Sequence, residues 1–345
     1  MQFDPDGPIL PARESVPAGG EAVAIAPGVL WIRLRLPFAL NHVNVWAVED
    51  GPGWALIDTG IADEPTRALW PELLAGALGG RPVTRVIATH FHPDHMGMAG
   101  ALCRMTGAPL STSAIEWTTA RLLAQEPPEE QLAAMLAHYR RCGMPDELLE
   151  AARQRSGFYR KRVTLPPPVY DVLGAGDRIT IGGRAWQVRI GRGHAPEMIT
   201  LYAEDGRILI SADHVLPTIS PNVSVWASSP EADPLGHFLE TLGIFDDLPE
   251  DVLVLPGHGR PFQGLHSRIG QLRRHHDERL DVLTDRKVEH MTAADAMRVL
   301  FSRELDMQQI GFALGETLAH LNRLRRMGRI ERTTDEDGLY RFRVT

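Results

Sequence analysis

Thr89-His90-Phe91-His92-Pro93-Asp94-His95 packs three imidazoles and a carboxylate into six residues. Neutral imidazole and carboxylate are the donors that Zn²⁺ and its transition-series neighbours take. Side chains at i, i+2, i+4 and i+5 converge on one or two points when the backbone curls. Pro93 and Gly97 keep this segment from running on as regular helix or strand. A solvated polar loop rich in histidine is the competing reading. The density of donor groups, and further candidates downstream, favour a metal site.

The elements that must position these groups are legible around them. Val83-Thr84-Arg85-Val86-Ile87-Ala88 reads as a buried strand, so the cluster sits on the loop at its C-terminal end. Three later stretches repeat the design: Ala185–Ile190 before Gly191-Arg192-Gly193-His194, Ile210-Ser211-Ala212 before Asp213-His214, and Val252-Leu253-Val254-Leu255-Pro256 before Gly257-His258-Gly259. A lone histidine after a strand is more often a surface or core residue. The recurrence, with small neighbours that let backbone and metal approach, is the stronger signal. Upstream, Trp54–Ile57 ends on Asp58-Thr59-Gly60, and Asp58 either serves that turn or faces the histidine loop. Glu197, and Asn41 with His42, are weaker candidates either to support the site from behind or to face a substrate.

After a leader (1–21), Ala22–Ala26, Val29–Leu36 and Val43–Val48 read as a β-meander, and Asp63–Leu78 as a helix closed by Gly79-Gly80. Met96–Met105 is expected to be helical. An insertion at about 113–162 breaks the strand rhythm with helices at Ala114–Gln125, Glu129–Arg141 and Pro145–Ser156. It is expected to act as a lid or substrate wall, against plain helical packing. Strands resume at Val169–Val172, Arg178–Ile181, Ala185–Ile190, Ile199–Ala203 and Arg207–Ser211. The tail holds helices at Leu265–Thr284, Thr292–Phe301 and Gly311–Met327, then a hairpin of Arg329–Thr333 and Leu339–Val344. His275-His276 reads as surface or interface. The expected domains are a catalytic domain over 22–264, a connecting helix over 265–285 and a small C-terminal domain over 286–345.

The 345 residues are 43% hydrophobic and 23% charged, an ordinary globular composition. A net charge of −8 argues against a surface built wholly for nucleic acid. Cys103 and Cys142 give no disulfide framework and fit a reducing compartment. With no basic start, no signal-like apolar run and no spanning stretch, a cytoplasmic protein without a membrane partner is expected.

His90-x-His92-x-Asp94-His95 followed by His194, Asp213 and His258, with Asp58 in its Leu56–Gly60 context, resembles the metallo-β-lactamase superfamily over about Val23–Pro261. The resemblance implies an α+β fold, an αββα four-layer sandwich with the metals in a cleft along one edge of the sheets. It implies that His90, His92 and His194 hold one metal and Asp94, His95 and His258 a second. Asp213 would bridge them, and Asp58 would support the site from behind. Every ligand position is kept, so the dinuclear branch is implied, with two divalent ions: zinc first, iron or manganese as alternatives. Two such ions share a water, lower its pKa towards neutrality and supply hydroxide to attack a carbonyl or phosphoryl centre. Asp94 would orient that nucleophile and pass a proton to the leaving group. His214 is the next candidate proton donor, although strand-like alternation would turn it away.

Helices followed by a two-stranded wing resemble the small winged-helix domain of the β-lactamase-like endoribonucleases. Arg323, Arg325, Arg326, Arg329, Arg332, Arg341 and Arg343 make this end basic, so it either grips phosphates or packs on the catalytic domain or builds a homodimer. The expected activity is hydrolysis of a small-molecule ester, thioester or lactone, with cleavage of single-stranded RNA as the alternative. A non-enzymatic binding protein is disfavoured by the complete ligand set, and a true β-lactamase by the lack of an export signal. Arg140, Arg141, Arg153, Arg155, Arg160, Lys161 and Arg162 suit an anionic substrate such as an acyl-CoA.

Overall fold

The computed structural model describes residues 7–153, 157–285, 290–302 and 304–345. Arg155 and the end of the helix expected at Pro145–Ser156 lie outside them. A short strand β1 (Leu10–Pro11) precedes the antiparallel meander β2 (Ala22–Ala26), β3 (Val29–Arg35), β4 (His42–Asp50) and β5 (Gly53–Ile57). Helix α1 (Glu64–Ala75) crosses to β6 (Val83–Ile87), which pairs parallel to β5. β7 (Leu110–Thr112) and β8 (Asp171–Val172) complete a sheet in the order β2-β3-β4-β5-β6-β7-β8.

The second sheet takes β9 (Arg178–Ile181), β10 (Arg184–Gly191), β11 (Met198–Ala203), β12 (Ile208–Ala212), β13 (Leu253–Pro256) and β14 (Phe262–Gln263). Its order is β1-β14-β13-β12-β11-β10-β9, with β12 and β13 parallel. Val169 and Tyr170 stay outside β8, just after Pro166-Pro167-Pro168, which have no N–H to donate to a ladder.

Alternation along the strands builds two cores. Trp31, Trp46, Ile57 and Ile87 face Trp186, Val188, Leu201, Ile210 and Leu255 between the sheets. Their neighbours Ile32, Val45, Leu56 and Val86 turn outward onto Trp70 and Leu73 of α1 and onto Leu102 of α3 (Ala99–Thr106). Each such buried side chain stabilises the fold by roughly 1.5–3 kcal/mol. The C-terminal ends of β5, β6, β12 and β13 deliver Asp58, the histidine loop, Asp213 and His258. Hydrogen bonds join the two sheets beside these ends, from Asn44 N–H to the Gly257 carbonyl (2.7 Å) and from Ile199 N–H to the Thr89 carbonyl (2.8 Å).

The chain forms two compact units. Both sheets belong to the first, which takes residues 1–125, 159–221 and 242–269. It includes α2 (Pro93–Met96), a single helical turn that begins on Pro93, and α4 (Ala114–Gln125).

Residues 126–158, 222–241 and 270–345 make the second unit. It holds α5 (Pro128–Arg141), α6 (Asp146–Arg153), α7 (Pro234–Thr241), most of α8 (Leu265–Asp285), α9 (Ala293–Leu300), α10 (Met307–Arg326) and the hairpin β15 (Ile330–Thr334)–β16 (Tyr340–Val344). α9 starts on a reciprocal Thr292–Asp295 capping box. The Ala294 N–H donates to the Cys142 carbonyl at 3.0 Å, and a Cβ at Gly143 would lie 2.6 Å from Thr292. The residues after α4 thus share a core with the C-terminal helices. His276, expected at a surface or an interface, is fully buried beside Phe238 and His320.

Candidate metal centre

Asp58 leaves β5 in the left-handed region (φ 65°), and its carboxylate accepts three hydrogen bonds. These come from Thr89 N–H (2.8 Å), Thr89 Oγ1 (2.9 Å) and His95 Nδ1 (2.7 Å). A carboxylate only accepts, so His95 carries its proton on Nδ1 and turns the Nε2 lone pair inward. Thr89 Oγ1 spends its proton on Asp58 and therefore accepts from His90 Nδ1 at 2.9 Å. His90 Nε2 is then a bare lone pair, 3.0 Å from His92 Nδ1. His258 Nδ1 donates to the His42 carbonyl at 2.7 Å, which frees its Nε2 in the same way. His42 in turn accepts from Gly259 N–H at Nε2 (2.9 Å) and bonds Asn41 Oδ1 through Nδ1 (2.8 Å).

Asp213 lies among these nitrogens. One of its oxygens is 3.2 Å from His258 Nε2 and 3.4 Å from His194 Nε2, and the other is 3.5 Å from His95 Nε2. Asp94 Oδ2 stands 3.3 Å from His258 Nε2 and 3.6 Å from His95 Nε2. Gly257 is required here, since a Cβ would fall 2.1 Å from Asp213 Oδ1. Three sets of donor atoms each lie within 4.8 Å of one another: His90/His92/His194, His90/His95/Asp213 and Asp94/His95/His258. All seven residues expected to bind metal are brought together, with Asp58 behind them. His214 is placed with its ring against the Gly191 backbone and 5.8 Å from the Phe245 ring.

The buried carboxylates and imidazoles of this cluster shift one another's pKa. Burial opposes ionisation of Asp213 and Asp94, yet His258 and His95 hold both well below the usual carboxylate range. Burial also opposes a proton on His258, but Asp213 and Asp94 outweigh it and raise its pKa to about 10. His92 goes the other way, lowered to about 3 by burial and then by His194.

These residues fit divalent ions. His95 Nε2 and Asp213 Oδ1 are buried without a hydrogen-bond partner. Two donors on one tetrahedral zinc, each about 2.0 Å from it, are separated by about 3.3 Å, and the nitrogens and oxygens here face one another at 3.0–3.6 Å.

Three contributors were not anticipated. Asn44 accepts from Trp31 Nε1 (2.8 Å) and donates to the carbonyls of Pro256 (2.8 Å) and Gly259 (3.1 Å), on either side of His258. Glu116 accepts from the N–H groups of Phe91 (2.8 Å) and Glu197 (2.6 Å), and Tyr159 Oη donates to the Phe91 carbonyl (2.5 Å). Only Glu116 had a signal, and it was a misleading one: Ser113-x-x-Glu116 has capping-box spacing, which explains the glutamate locally.

A family model described as the metallo-beta-lactamase superfamily matches residues 39–258, more than half of the chain. The chain belongs to the metallo-beta-lactamase superfamily. A second model, the metallo-beta-lactamase-like C-terminal domain, matches residues 280–345. The chain is 40% identical to a beta-lactamase domain protein from Burkholderia ambifaria, whose crystal structure superposes with a TM-score of 0.91 over 98% of both chains. It is 26% identical to the probable metallo-hydrolase YqjP of Bacillus subtilis, over 85% of this chain and 91% of that protein. Acyl-coenzyme A thioesterase MBLAC2 of Bos taurus is 28% identical over 56% of this chain and 65% of its own length. As a superfamily member with metallo-hydrolase relatives, the chain is a metal-dependent hydrolase.

Proposed function

We propose that this superfamily member is a dinuclear enzyme that hydrolyses a small ester or thioester, with lactones in the same class of acyl substrates. The observation that carries the reading is the position of Asp213, whose one oxygen faces both His194 and His258 Nε2 while its other oxygen faces His95 Nε2. His90, His92 and His194 would hold one ion, Asp94, His95 and His258 the other, with Asp213 shared. Zinc is the first candidate. When bound, two such ions lower the pKa of a shared water and polarise the substrate oxygen.

The chain's own residues divide the remaining work. Asp58, Thr89 and the His42 carbonyl fix the imidazole tautomers. Asp94 is the carboxylate of the set most open to substrate, with 19% of its side chain exposed against 6% for Asp213. It is the group placed to orient a nucleophile and carry its proton to the leaving group. The thioesterase relative supports an acyl-CoA-like substrate.

We read α9, α10 and the β15–β16 hairpin as a winged-helix-like module with a structural role. Arg323, Arg325, Arg329, Arg332, Arg341 and Arg343 pair with Asp233, Glu231, Asp281, Glu231, Asp335 and Glu331 within the same unit. Cations already paired in this way favour small acyl substrates over RNA.

The test is metal analysis of the purified chain with a panel of acyl-CoA thioesters, aryl esters, lactones and single-stranded RNA. Two equivalents of metal and chelator-sensitive thioester or ester hydrolysis are expected. His92→Ala should lower kcat/KM by about 100-fold or more, as loss of a metal ligand does. Activity that survives both chelation and His92→Ala would overturn the reading.

A further inference from the structure

We propose that Glu116 is the positioning residue that holds the two histidine loops in register, and so sets the affinity of the His90/His92/His194 group for its ion. The inference rests on the dinuclear reading above. Its basis is the reach of one fully buried carboxylate. Glu116 Oε2 accepts from the Phe91 N–H at 2.8 Å, and Phe91 is the residue between His90 and His92. Glu116 Oε1 accepts from the Glu197 N–H at 2.6 Å, three residues beyond His194. A single side chain thus spans the loop after β6 and the loop between β10 and β11.

The same peptide is held from its other side. Tyr159 Oη donates to the Phe91 carbonyl at 2.5 Å, so the N–H and the C=O of Phe91 are both engaged by side chains. The backbone between the two imidazoles is left little freedom to turn, which fixes His90 Nε2 and His92 Nδ1 at their 3.0 Å separation.

The residue is expensive where it sits. Burial, opposed by the two backbone hydrogen bonds, pushes the Glu116 carboxyl up to about 7. An apolar residue would fill the space beside Phe91 and Tyr159 without that penalty. Its partners are two peptide N–H groups, one on each ligand-bearing loop. Charge-assisted bonds to backbone donors are stronger than neutral ones, and residues that orient ligands from behind typically change metal affinity by about 10–100-fold.

The experiment is a zinc titration of the full chain against a chromophoric chelator, for the wild type, Glu116→Gln and Tyr159→Phe. The visible absorption of the cobalt(II)-loaded proteins is a second readout. The amide in Glu116→Gln keeps one acceptor oxygen and sets an NH₂ against the other peptide N–H, so one loop loses its anchor. One equivalent should bind about 10–100-fold more weakly, the other within about twofold of wild type, and the cobalt band of the weakened site should shift. Two wild-type affinities, or equal weakening of both ions, would overturn the assignment. Should Glu116→Gln fail to fold by far-UV circular dichroism, Tyr159→Phe decides, because it releases only the Phe91 carbonyl. A smaller weakening of one equivalent is then expected, and unchanged binding of both overturns the proposal. A wild type that binds a single ion sinks the dinuclear reading, yet that ion must still weaken in Glu116→Gln for this inference to stand.

Discussion

Asp58 concentrates several constraints in one residue. Its left-handed backbone, at φ 65°, costs a non-glycine residue on the order of 1 kcal/mol and is held by hydrogen bonds from Thr89 and His95. Asparagine tolerates that backbone region but presents one acceptor oxygen and an NH₂ in place of a carboxylate. On the proposed assignment of Asp94, His95 and His258 to one ion, Asp58→Asn should therefore weaken that ion's binding by about 10–100-fold, with a similar fall in kcat/KM. Competition with a chelator measures it, and an unchanged affinity would make Asp58 a turn residue only. The sequence left those two roles for Asp58 open, because a carboxylate after a strand serves either. The dense cluster from His90 to His95 was legible on its own, since its donor spacing has few other uses. Glu116 was hidden because Ser113, three residues earlier, supplies a sufficient local reason for a glutamate. A single sequence carries no sign that the side chain instead reaches two distant loops.

Among the elements, the strands that carry the site were readable from alternation and from the glycine-flanked residues at their ends. β7, β14 and α7 were not: the first two are two or three residues long, too short to show a period. What joins the elements was less visible still. Asn44 sits in the middle of β4 and reads as one polar residue in an apolar strand. It accepts from Trp31 in one direction, and in the other it donates to two carbonyls flanking His258. Asn44→Ala would strand the buried Trp31 Nε1 and the Pro256 carbonyl together. A loss of about 2–4 kcal/mol is expected from the unmet hydrogen bonds and the small cavity, measured by urea unfolding. Metal binding at the His258 end should weaken as well. A substitution that costs less than about 0.5 kcal/mol, the ordinary range for surface changes, would show that Asn44 does not fasten the strand to the His258 loop.

At the scale of the molecule, the chain is cut into two units that the linear order does not suggest. The insertion was expected as one piece over about 113–162, yet residues 126–158 of it group with residues 270–345 while its two ends stay with the sheets. Gly143 against Thr292 is the contact that explains this, and it joins positions too far apart in sequence for any local pattern to relate them. The buried histidines of the second unit give it a test of its own. His276 Nδ1 and His320 Nε2 meet at 3.1 Å, and His320 Nδ1 donates to the Glu316 carbonyl at 2.8 Å. Burial first, and then His320, His275 and Arg279, lower His276 to about 2, while burial, opposed by the Glu316 carbonyl and helped by Arg279 and His275, lowers His320 to about 4, both from the ordinary 6.5. Above pH 6.5 both groups are neutral in the folded and the unfolded chain and contribute no pH dependence. As the pH falls below 6.5, the unfolded chain binds protons that the folded one refuses. Each group then removes about 1.4 kcal/mol of stability per pH unit, until its folded pKa is reached. Between pH 6.5 and 4.5 the pair therefore removes up to about 5 kcal/mol, comparable to the whole stability of a small domain. His276→Asn keeps an amide donor for His320 Nε2 and deletes one of the two titrations. Relative to the wild type, its stability should fall about 1.4 kcal/mol less steeply per pH unit over that window, whatever constant offset the smaller side chain adds. Urea unfolding at pH 7.5, 6.0 and 5.0 gives the two slopes, and parallel slopes would mean that His276 takes up its proton in the folded chain as readily as in the unfolded one.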